Sequence, residues 1–171
     1  MLCVIADCSP WADRKLDAVR KSAFPPGRFT SPLNAHITLA TYLPEDYSAF
    51  MKACEKLLRR CHPFTVRYDK LKVLSETSVI VAVPSIPDEL AVLHESIAKE
   101  FSSSLDRWTC GNTWYPHTSL FYDPAADLRQ ICGDMQAHFI PFEDRICQFR
   151  FSKVEESGYT IIKTIKLKED K

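Results

Sequence analysis

The stretches Asn34-Ala-His-Ile-Thr-Leu39 and Tyr115-Pro-His-Thr-Ser-Leu120 decide how this chain is interpreted, because both contain the pattern His-x-(Thr/Ser)-Leu. Five histidines in a chain of this composition would give about 0.06 such matches, so a pair is hardly accidental. Each stretch is followed by a proline and then by apolar residues at helical spacing. The repeat predicts two related lobes, each carrying one motif.

The residue types within the two motifs predict a site for phosphate chemistry. Residues i and i+2 of a strand share a face and lie about 6–7 Å apart. His36 therefore points with Thr38, and His117 points with Ser119. Two imidazoles facing one cleft can act as general base and general acid, while the two hydroxyls donate to phosphoryl oxygens.

A third histidine is a useful control. His94-Glu95-Ser96 begins with the same residue types but lies in a predicted helix, where residues i and i+2 point in different directions. His94 also falls beside an apolar helical stripe. We therefore interpret His94 as a structural residue.

Around the motifs, apolar residues recur either at every second position or at helical spacing, which predicts alternating strands and helices. Pro44 and Pro124 are expected at the first helical position after each motif, with Asp123 as an N-cap. A turn at Glu156-Ser157-Gly158 is expected to close a final hairpin. Strands are predicted at 2–6, 35–43, 64–74, 79–83, 116–122, 146–155 and 159–167, and helices at 11–22, 44–61, 87–103 and 125–138.

Composition and charge exclude several classes of protein. The 171 residues are 46% apolar, enough for one domain with its own core. Lys and Arg number 22, as do Asp and Glu, and this balance argues against tight capture of long nucleic acid. The first apolar run is too short for a signal peptide or membrane span, and the seven cysteines include no C-x-x-C pair. We therefore expect a cytoplasmic protein with reduced thiols, bound neither to a membrane nor to a metal.

With these motifs the chain resembles the 2H phosphoesterases, which include RNA 2′-5′ ligase-like proteins and cyclic phosphodiesterases. The second motif, Pro116-His-Thr-Ser-Leu-Phe-Tyr-Asp123, is particularly similar to the cyclic phosphodiesterase version. The resemblance implies an α+β bilobal fold, in which the antiparallel sheets of two pseudo-symmetric lobes surround a central groove and the helices lie outside. It also implies metal-independent opening of a 2′,3′-cyclic phosphate to a monoester, typically the 2′-phosphate.

Aromatic residues near the motifs are candidates for binding the substrate. By strand alternation, Tyr42 shares a face with His36 and Phe121 shares one with His117. The resemblance instead favours Tyr122, whose family counterpart lies near the phosphate. The alternative for each aromatic residue is an ordinary place in the core or at its rim.

Two further aromatic residues, Trp114 and Tyr115, precede the second motif, where each ring can stack a base. They too have a core or rim position as the alternative. The basic residues Arg67, Lys70 and Lys72 lie on a predicted strand and are interpreted as solvated surface.

The leading hypothesis is a cofactor-independent enzyme that hydrolyses a nucleoside or ADP-ribose 2′,3′-cyclic phosphate. The catalytic residues would be His117 as base, His36 as acid, and Thr38 and Ser119 as hydrogen-bond donors. A 2′-5′ RNA ligase or phosphodiesterase acting on RNA ends is an alternative with the same site. A nucleotide-binding module with little turnover is another. We expect a monomer whose partner is a small cyclic-phosphate nucleotide or a short RNA end.

Overall fold

Eight strands and four α-helices lie in the parts of the chain that the computed structural model describes, residues 1–23, 34–74, 76–155 and 158–169. They alternate along the chain much as the apolar spacing predicts. The strands are β1 (Leu2–Asp7), β2 (His36–Tyr42), β3 (Phe64–Val73), β4 (Val79–Ser85), β5 (Thr118–Tyr122), β6 (Phe142–Ile146), β7 (Gln148–Glu155) and β8 (Gly158–Lys166). The helices are α1 (Pro10–Ser22), α2 (Ser48–Leu58), α3 (Asp88–Phe101) and α4 (Leu128–His138).

The strands form two antiparallel sheets of four strands each. The first sheet has the order β2-β1-β7-β8, and the second has the order β5-β4-β3-β6. The two motif strands, β2 and β5, are therefore edge strands, and they pack against each other where the sheets meet. This architecture confirms the predicted α+β fold and brings the two motifs together at its centre.

Apolar side chains fix which face of each sheet the helices cover. Leu2, Val4 and Ala6 alternate along β1 and are fully buried, as are Phe50 and Leu58 on α2. Helix α2 packs against α3, which in turn packs against β2. Helices α1 and α4 pack together against the second sheet. Of the predicted catalytic residues, His36, Thr38 and His117 are half-buried and Ser119 is exposed.

Two of the four helices begin later than their prolines predict. Helix α2 begins at Ser48 instead of Pro44, and α4 begins at Leu128 instead of directly after Pro124. In α4 the N-cap is Asp127, whose carboxylate accepts the backbone N–H groups of Arg129 and Gln130. Asp123 instead accepts the N–H of Ala125 in a local turn, so its predicted N-cap role is wrong.

One strand, β6, was not expected from the sequence. Its buried positions alternate through Phe142, Asp144 and Ile146, and the buried aspartate hides the apolar pattern. The Asp144 carboxylate accepts the N–H of Ser9 at 3.0 Å, which accounts for a charged residue at an inward position. The predicted turn at Glu156-Ser157 lies outside the described residues.

The length and hydropathy of the helices decide whether one of them can cross a bilayer. Among those in the described parts of the chain, none is both long and apolar enough to span a membrane.

Candidate active site

Both motif histidines are oriented by their own backbone in the same way. The Nδ1–H of His36 donates to the carbonyl of Asn34 at 2.8 Å, and that of His117 donates to the carbonyl of Tyr115 at 2.7 Å. A carbonyl oxygen can only accept, so Nδ1 carries the proton of each neutral imidazole. Each motif therefore leaves Nε2 as the nitrogen that can take or give a proton.

Each motif strand contains a β-bulge at the leucine that ends its motif. The pairing of β2 with β1 skips Leu39, and the pairing of β5 with β4 skips Leu120. Each of these leucines and the residue after it are buried, which breaks the alternation of a regular strand. Beyond the bulge, side chains lie on the face opposite to the one that simple alternation predicts. Thr41 consequently lies beside Thr38 and lines the same cavity.

The two imidazoles differ in their electrostatic surroundings. Burial lowers the pKa of His117, because a charged imidazolium loses solvation there. The hydrogen bond to the Tyr115 carbonyl opposes this effect, and the charge of His36 lowers the pKa of His117 further. His117 therefore favours its neutral form.

A buried carboxylate lies beside the first motif. Asp7 pairs directly with His36 across the sheet and is only 4% exposed. Its Oδ2 accepts a hydrogen bond from Gln148 at 2.7 Å and lies 2.6 Å from the Arg150 guanidinium. Burial raises the pKa of the Asp7 carboxyl, while Gln148, Arg150 and His36 oppose that rise. Sequence reasoning missed this neighbour, although a charged residue that ends an apolar strand is a usable signal.

A cavity of about 290 Å³, which we call the motif cavity, opens beside Thr38 and His117. Its size is near the lower end for sites that bind small molecules. Tyr115 and Trp108 contribute aromatic surface, and Asp106 shapes one wall because its Oδ1 accepts the N–H of Trp108 at 3.0 Å. Larger cavities of about 670 and 490 Å³ contain no motif residue. The other residues that line the motif cavity are Thr41, Leu74, Thr77, Val79, Thr109 and Thr113.

Comparison with known proteins identifies the family of the chain. The family model of the 2′-5′ RNA ligase superfamily matches residues 6–157. The chain belongs to this superfamily. The predicted resemblance to the 2H phosphoesterases is confirmed.

Solved structures of this superfamily's fold superpose over nearly the whole chain. Escherichia coli LigT is 20% identical, with a TM-score of 0.67 over 98% of both chains. A protein described as a phosphoesterase is 20% identical, with a TM-score of 0.69 over 98% of both chains. A protein from Thermus thermophilus is 17% identical, with a TM-score of 0.69 over 99% of both chains. No curated protein matches the sequence.

In this member of the 2′-5′ RNA ligase superfamily, two of the predicted aromatic positions are wrong. Tyr42 is 9% exposed and stacks on Phe50 with ring centroids 4.3 Å apart. Phe121 is 4% exposed. The bulges at Leu39 and Leu120 turn both rings away from the motif histidines and into the core. We therefore do not retain Tyr42 and Phe121 as substrate contacts.

Trp114 holds the backbone of the first motif in place. Its indole N–H donates to the Thr38 carbonyl at 2.9 Å, and its ring stacks on His94 at 4.0 Å. His94 is 2% exposed, and its Nδ1–H donates to the carbonyl of Leu39 at 2.9 Å. Both carbonyls belong to the bulge, where the regular ladder is interrupted. The structural interpretation of His94 is confirmed, and Trp114 is not a free platform for a base.

Tyr115 and Tyr122 lie where a ligand can reach them. Tyr115 lines the motif cavity, with its ring 6.5 Å from that of His117 and nearly parallel to it. Tyr122 is 65% exposed, and the bulge places it on the face of Ser119. The Lys72 ammonium lies 5.1 Å from the centre of the Tyr115 ring, so this lysine is solvated but close to the site.

A metal site in a protein needs several His, Cys, Asp or Glu side chains close together. No set of three or more His, Cys, Asp or Glu side chains within residues 1–23, 34–74, 76–155 and 158–169 is arranged to hold a metal ion. All seven cysteines carry free thiols. Burial raises the pKa of the Cys8 thiol to about 12, so this group is a protonated hydrogen-bond donor.

Proposed function

We propose that this protein hydrolyses a 2′,3′-cyclic phosphate, carried by a nucleoside or by ADP-ribose, to the 2′-phosphate without a metal ion. The observation that carries the proposal is the matched orientation of His36 and His117, each with Nδ1 donating to a backbone carbonyl and Nε2 left for proton transfer. Simple phosphate binding does not require two such histidines, whereas acid and base catalysis does.

The electrostatic difference between the histidines supports an assignment of roles. His117, whose pKa is lowered, is neutral near pH 7 and takes a proton from the attacking water through Nε2. The water oxygen bonds to phosphorus, and the bond from phosphorus to the 3′ oxygen breaks. His36, in its protonated form, gives its Nε2 proton to that departing oxygen. Solvent then restores the starting protonation of both rings.

Hydroxyl groups of the motifs stabilise the charge that develops on phosphorus-bound oxygens. Thr38 and Ser119 each stand two residues after a histidine, on the same face of the strand. Their O–H groups donate to the equatorial oxygens, which are more negative in the transition state than in the substrate. Each hydroxyl therefore contributes to kcat more than to substrate binding.

The rest of the substrate fits the motif cavity. The ring of Tyr115 and the exposed ring of Tyr122 are proposed contacts for it. Crystal structures of E. coli LigT in complexes with 3′-AMP, ATP, NADP⁺ and phosphate support a nucleotide-type ligand for this family. The near-neutral charge of this chain favours a small nucleotide over a long RNA.

The test is a substrate panel of the four nucleoside 2′,3′-cyclic phosphates, ADP-ribose cyclic phosphate and a 2′-5′ dinucleotide, each assayed with EDTA. We expect the cyclic phosphates to give 2′-phosphates at a rate that EDTA does not change. His36→Ala and His117→Ala should each lower kcat/KM by about 10²–10⁴-fold. Thr38→Ala and Ser119→Ala should each cost up to about 10²–10³-fold.

The matched control is His138→Ala, which removes an exposed imidazole at the end of α4 and should leave the rate unchanged. Circular dichroism establishes that each variant is folded. Near-wild-type turnover by either folded motif variant would end the two-histidine mechanism. If the intact protein binds a nucleotide tightly but does not turn it over, the protein is a binding module and not an enzyme.

A second candidate function, cleavage or ligation of 2′-5′-linked RNA, is favoured by the family to which the chain belongs. It uses the same histidines and differs in the group attached to phosphorus. Activity confined to the 2′-5′ dinucleotide and to longer oligoribonucleotides would favour it over the cyclic phosphates.

A further inference from the structure

A network of buried, hydrogen-bonded hydroxyl and thiol groups links the second motif to the first. Thr118, which stands between His117 and Ser119, is 1% exposed and does not line the motif cavity. Its Oγ1 donates to the carbonyl of His36 at 2.9 Å. The hydroxyl of Tyr68 lies 2.7 Å from the same Oγ1.

The direction of these hydrogen bonds follows from counting protons. Thr118 has one hydroxyl proton, and the His36 carbonyl can only accept it. Tyr68 must therefore donate to the Thr118 oxygen, and its own oxygen is left to accept from the Cys8 thiol at 3.1 Å. The protonated state of Cys8 is consistent with this order, because burial raises its pKa to about 12. All hydrogen bonds of this network therefore point the same way, from Cys8 toward the backbone of His36.

The location of this network matters because backbone pairing does not join the two sheets. The first sheet ends at β2 and the second ends at β5, so the ladders stop where the motifs meet. An edge strand has backbone groups without ladder partners, and the His36 carbonyl is one that a side chain satisfies. The bond from Thr118 therefore ties the first residue of β2 to the first residue of β5.

We infer that Thr118, supported by Tyr68, is a positioning residue that sets the separation of the two motif imidazoles. The role rests on the proposed two-histidine reaction, in which both rings must flank one phosphorus atom. His36 is the first residue of β2 in the first sheet, and His117 directly precedes β5 of the second sheet, so their separation depends on the joint between β2 and β5. A displacement of about 1 Å at reacting groups can cost on the order of 10²-fold in rate.

The test compares Thr118→Val, which removes the hydroxyl at nearly constant volume, with Thr118→Ser, which keeps it. Thr65→Val makes the same chemical change at an exposed position of β3 and is the matched control. Activity is measured on the best cyclic phosphate as separate kcat and KM values. The titrations of His36 and His117 are followed by NMR of the imidazole nuclei.

We expect Thr118→Val to lower kcat about tenfold or more, with KM changed by less than about twofold. Thr118→Ser should recover kcat to within about threefold of the wild-type value. In Thr118→Val the pKa of His117 should rise toward its usual range, because the charge of His36 then lies farther away. The other charged groups nearby are Asp7 beside His36, Asp106 in the wall of the motif cavity and Lys72 over the Tyr115 ring, and all three are unchanged in this variant.

A folded Thr118→Val protein with unchanged kcat and an unchanged His117 titration overturns the inference. If that variant does not fold, Tyr68→Phe decides, because it removes the donor to the Thr118 oxygen and should shift both readouts in the same direction by a smaller amount. Wild-type values in folded Tyr68→Phe would then overturn the inference. If the wild-type protein has no activity on cyclic phosphates, the proposed function fails, while the histidine titrations still decide the positioning role.

Discussion

At the scale of single residues, the motif histidines share a hydrogen-bonding pattern but not an environment. Both donate Nδ1–H to a carbonyl two residues earlier. His117 is the one whose burial lowers its pKa, and the nearby charge of His36 lowers it further. Two identical side chains in a repeated motif are thereby made unequal, which a reaction needing one base and one acid requires.

This inequality predicts the shape of the pH–rate profile. Because the base must be neutral, kcat/KM should rise as pH passes upward through the pKa of His117, which lies below the reference value of 6.5. It should fall again at higher pH, because the mechanism also requires one protonated imidazole that donates to the departing oxygen. Purified enzyme assayed from pH 5 to 9 gives both limbs of the bell.

The pH dependence of the residual activity in the two histidine variants shows which histidine causes each limb of the profile. His117→Ala should lose the acid limb, and His36→Ala should lose the alkaline limb. The opposite pattern would exchange the two roles. A single ionisation in the wild-type profile would contradict acid and base catalysis by a pair.

From the sequence alone, strand spacing groups each motif histidine with the hydroxyl two residues later, because residues i and i+2 of a strand share a face, and the catalytic role of these four residues stays a prediction. The same spacing failed for the aromatic residues further along each strand, beyond the bulges. Tyr42 and Phe121 were expected on the face of the histidines, but a single skipped residue in each ladder reverses the alternation. Nothing in the local sequence marks Leu39 or Leu120 as a bulge, since both are ordinary strand residues.

At the scale of the elements, the bulge in β2 depends on side chains from another part of the chain. Trp114 donates to the Thr38 carbonyl at 2.9 Å, so removing its indole N–H leaves that carbonyl without this donor. Trp114→Phe keeps an aromatic ring against His94 and should lower the free energy of unfolding by about 1 kcal/mol. It should also lower kcat, because Thr38 is then held less firmly.

Urea unfolding and steady-state kinetics measure the two effects of Trp114→Phe. The control is Trp11→Phe on α1, where the ring is 44% exposed and the loss should stay within about 0.5 kcal/mol. If both tryptophan variants lose the same stability and keep full kcat, the indole N–H does not support the motif.

Elements with a strong apolar period were predicted from the sequence, and those with a polar interruption were not. The ranges of β1, β2 and α3 match their predicted ranges to within a residue or two. Strand β6 was missed because a buried aspartate occupies its central inward position, where only a partner from another element explains a charge. A pattern of residue types does not indicate such a partner.

At the scale of the whole molecule, the two lobes are interlocked and are not simply side by side. Helix α1 follows a strand of the first sheet but packs against α4 and β5 of the second lobe. Helix α3 follows a strand of the second sheet but packs against β2 and α2 of the first. The internal repeat predicted two lobes, but it contains no information about this exchange, which depends on long-range contacts.

The exchanged helices predict that both lobes unfold in one cooperative transition, as a single domain. Unfolding either sheet alone would expose the apolar face of a helix that belongs to the other half of the chain. Urea unfolding should therefore give the same midpoint by far-UV circular dichroism and by tryptophan fluorescence. Leu58→Ala, in the fully buried part of α2, should cost about 2–5 kcal/mol by both probes.

Hydrogen exchange tests this prediction separately for each sheet. The slowest amides exchange through global unfolding, so their protection reports the stability of the unit to which they belong. Leu58 lies in the first lobe, whereas β3 is a central strand of the second sheet. In Leu58→Ala the slowest amides of β3 should lose as much protection as those of β7 in the first sheet. If protection falls in β7 while β3 keeps its wild-type values, the lobes are separate folding units, and the exchange of α1 and α3 does not couple them.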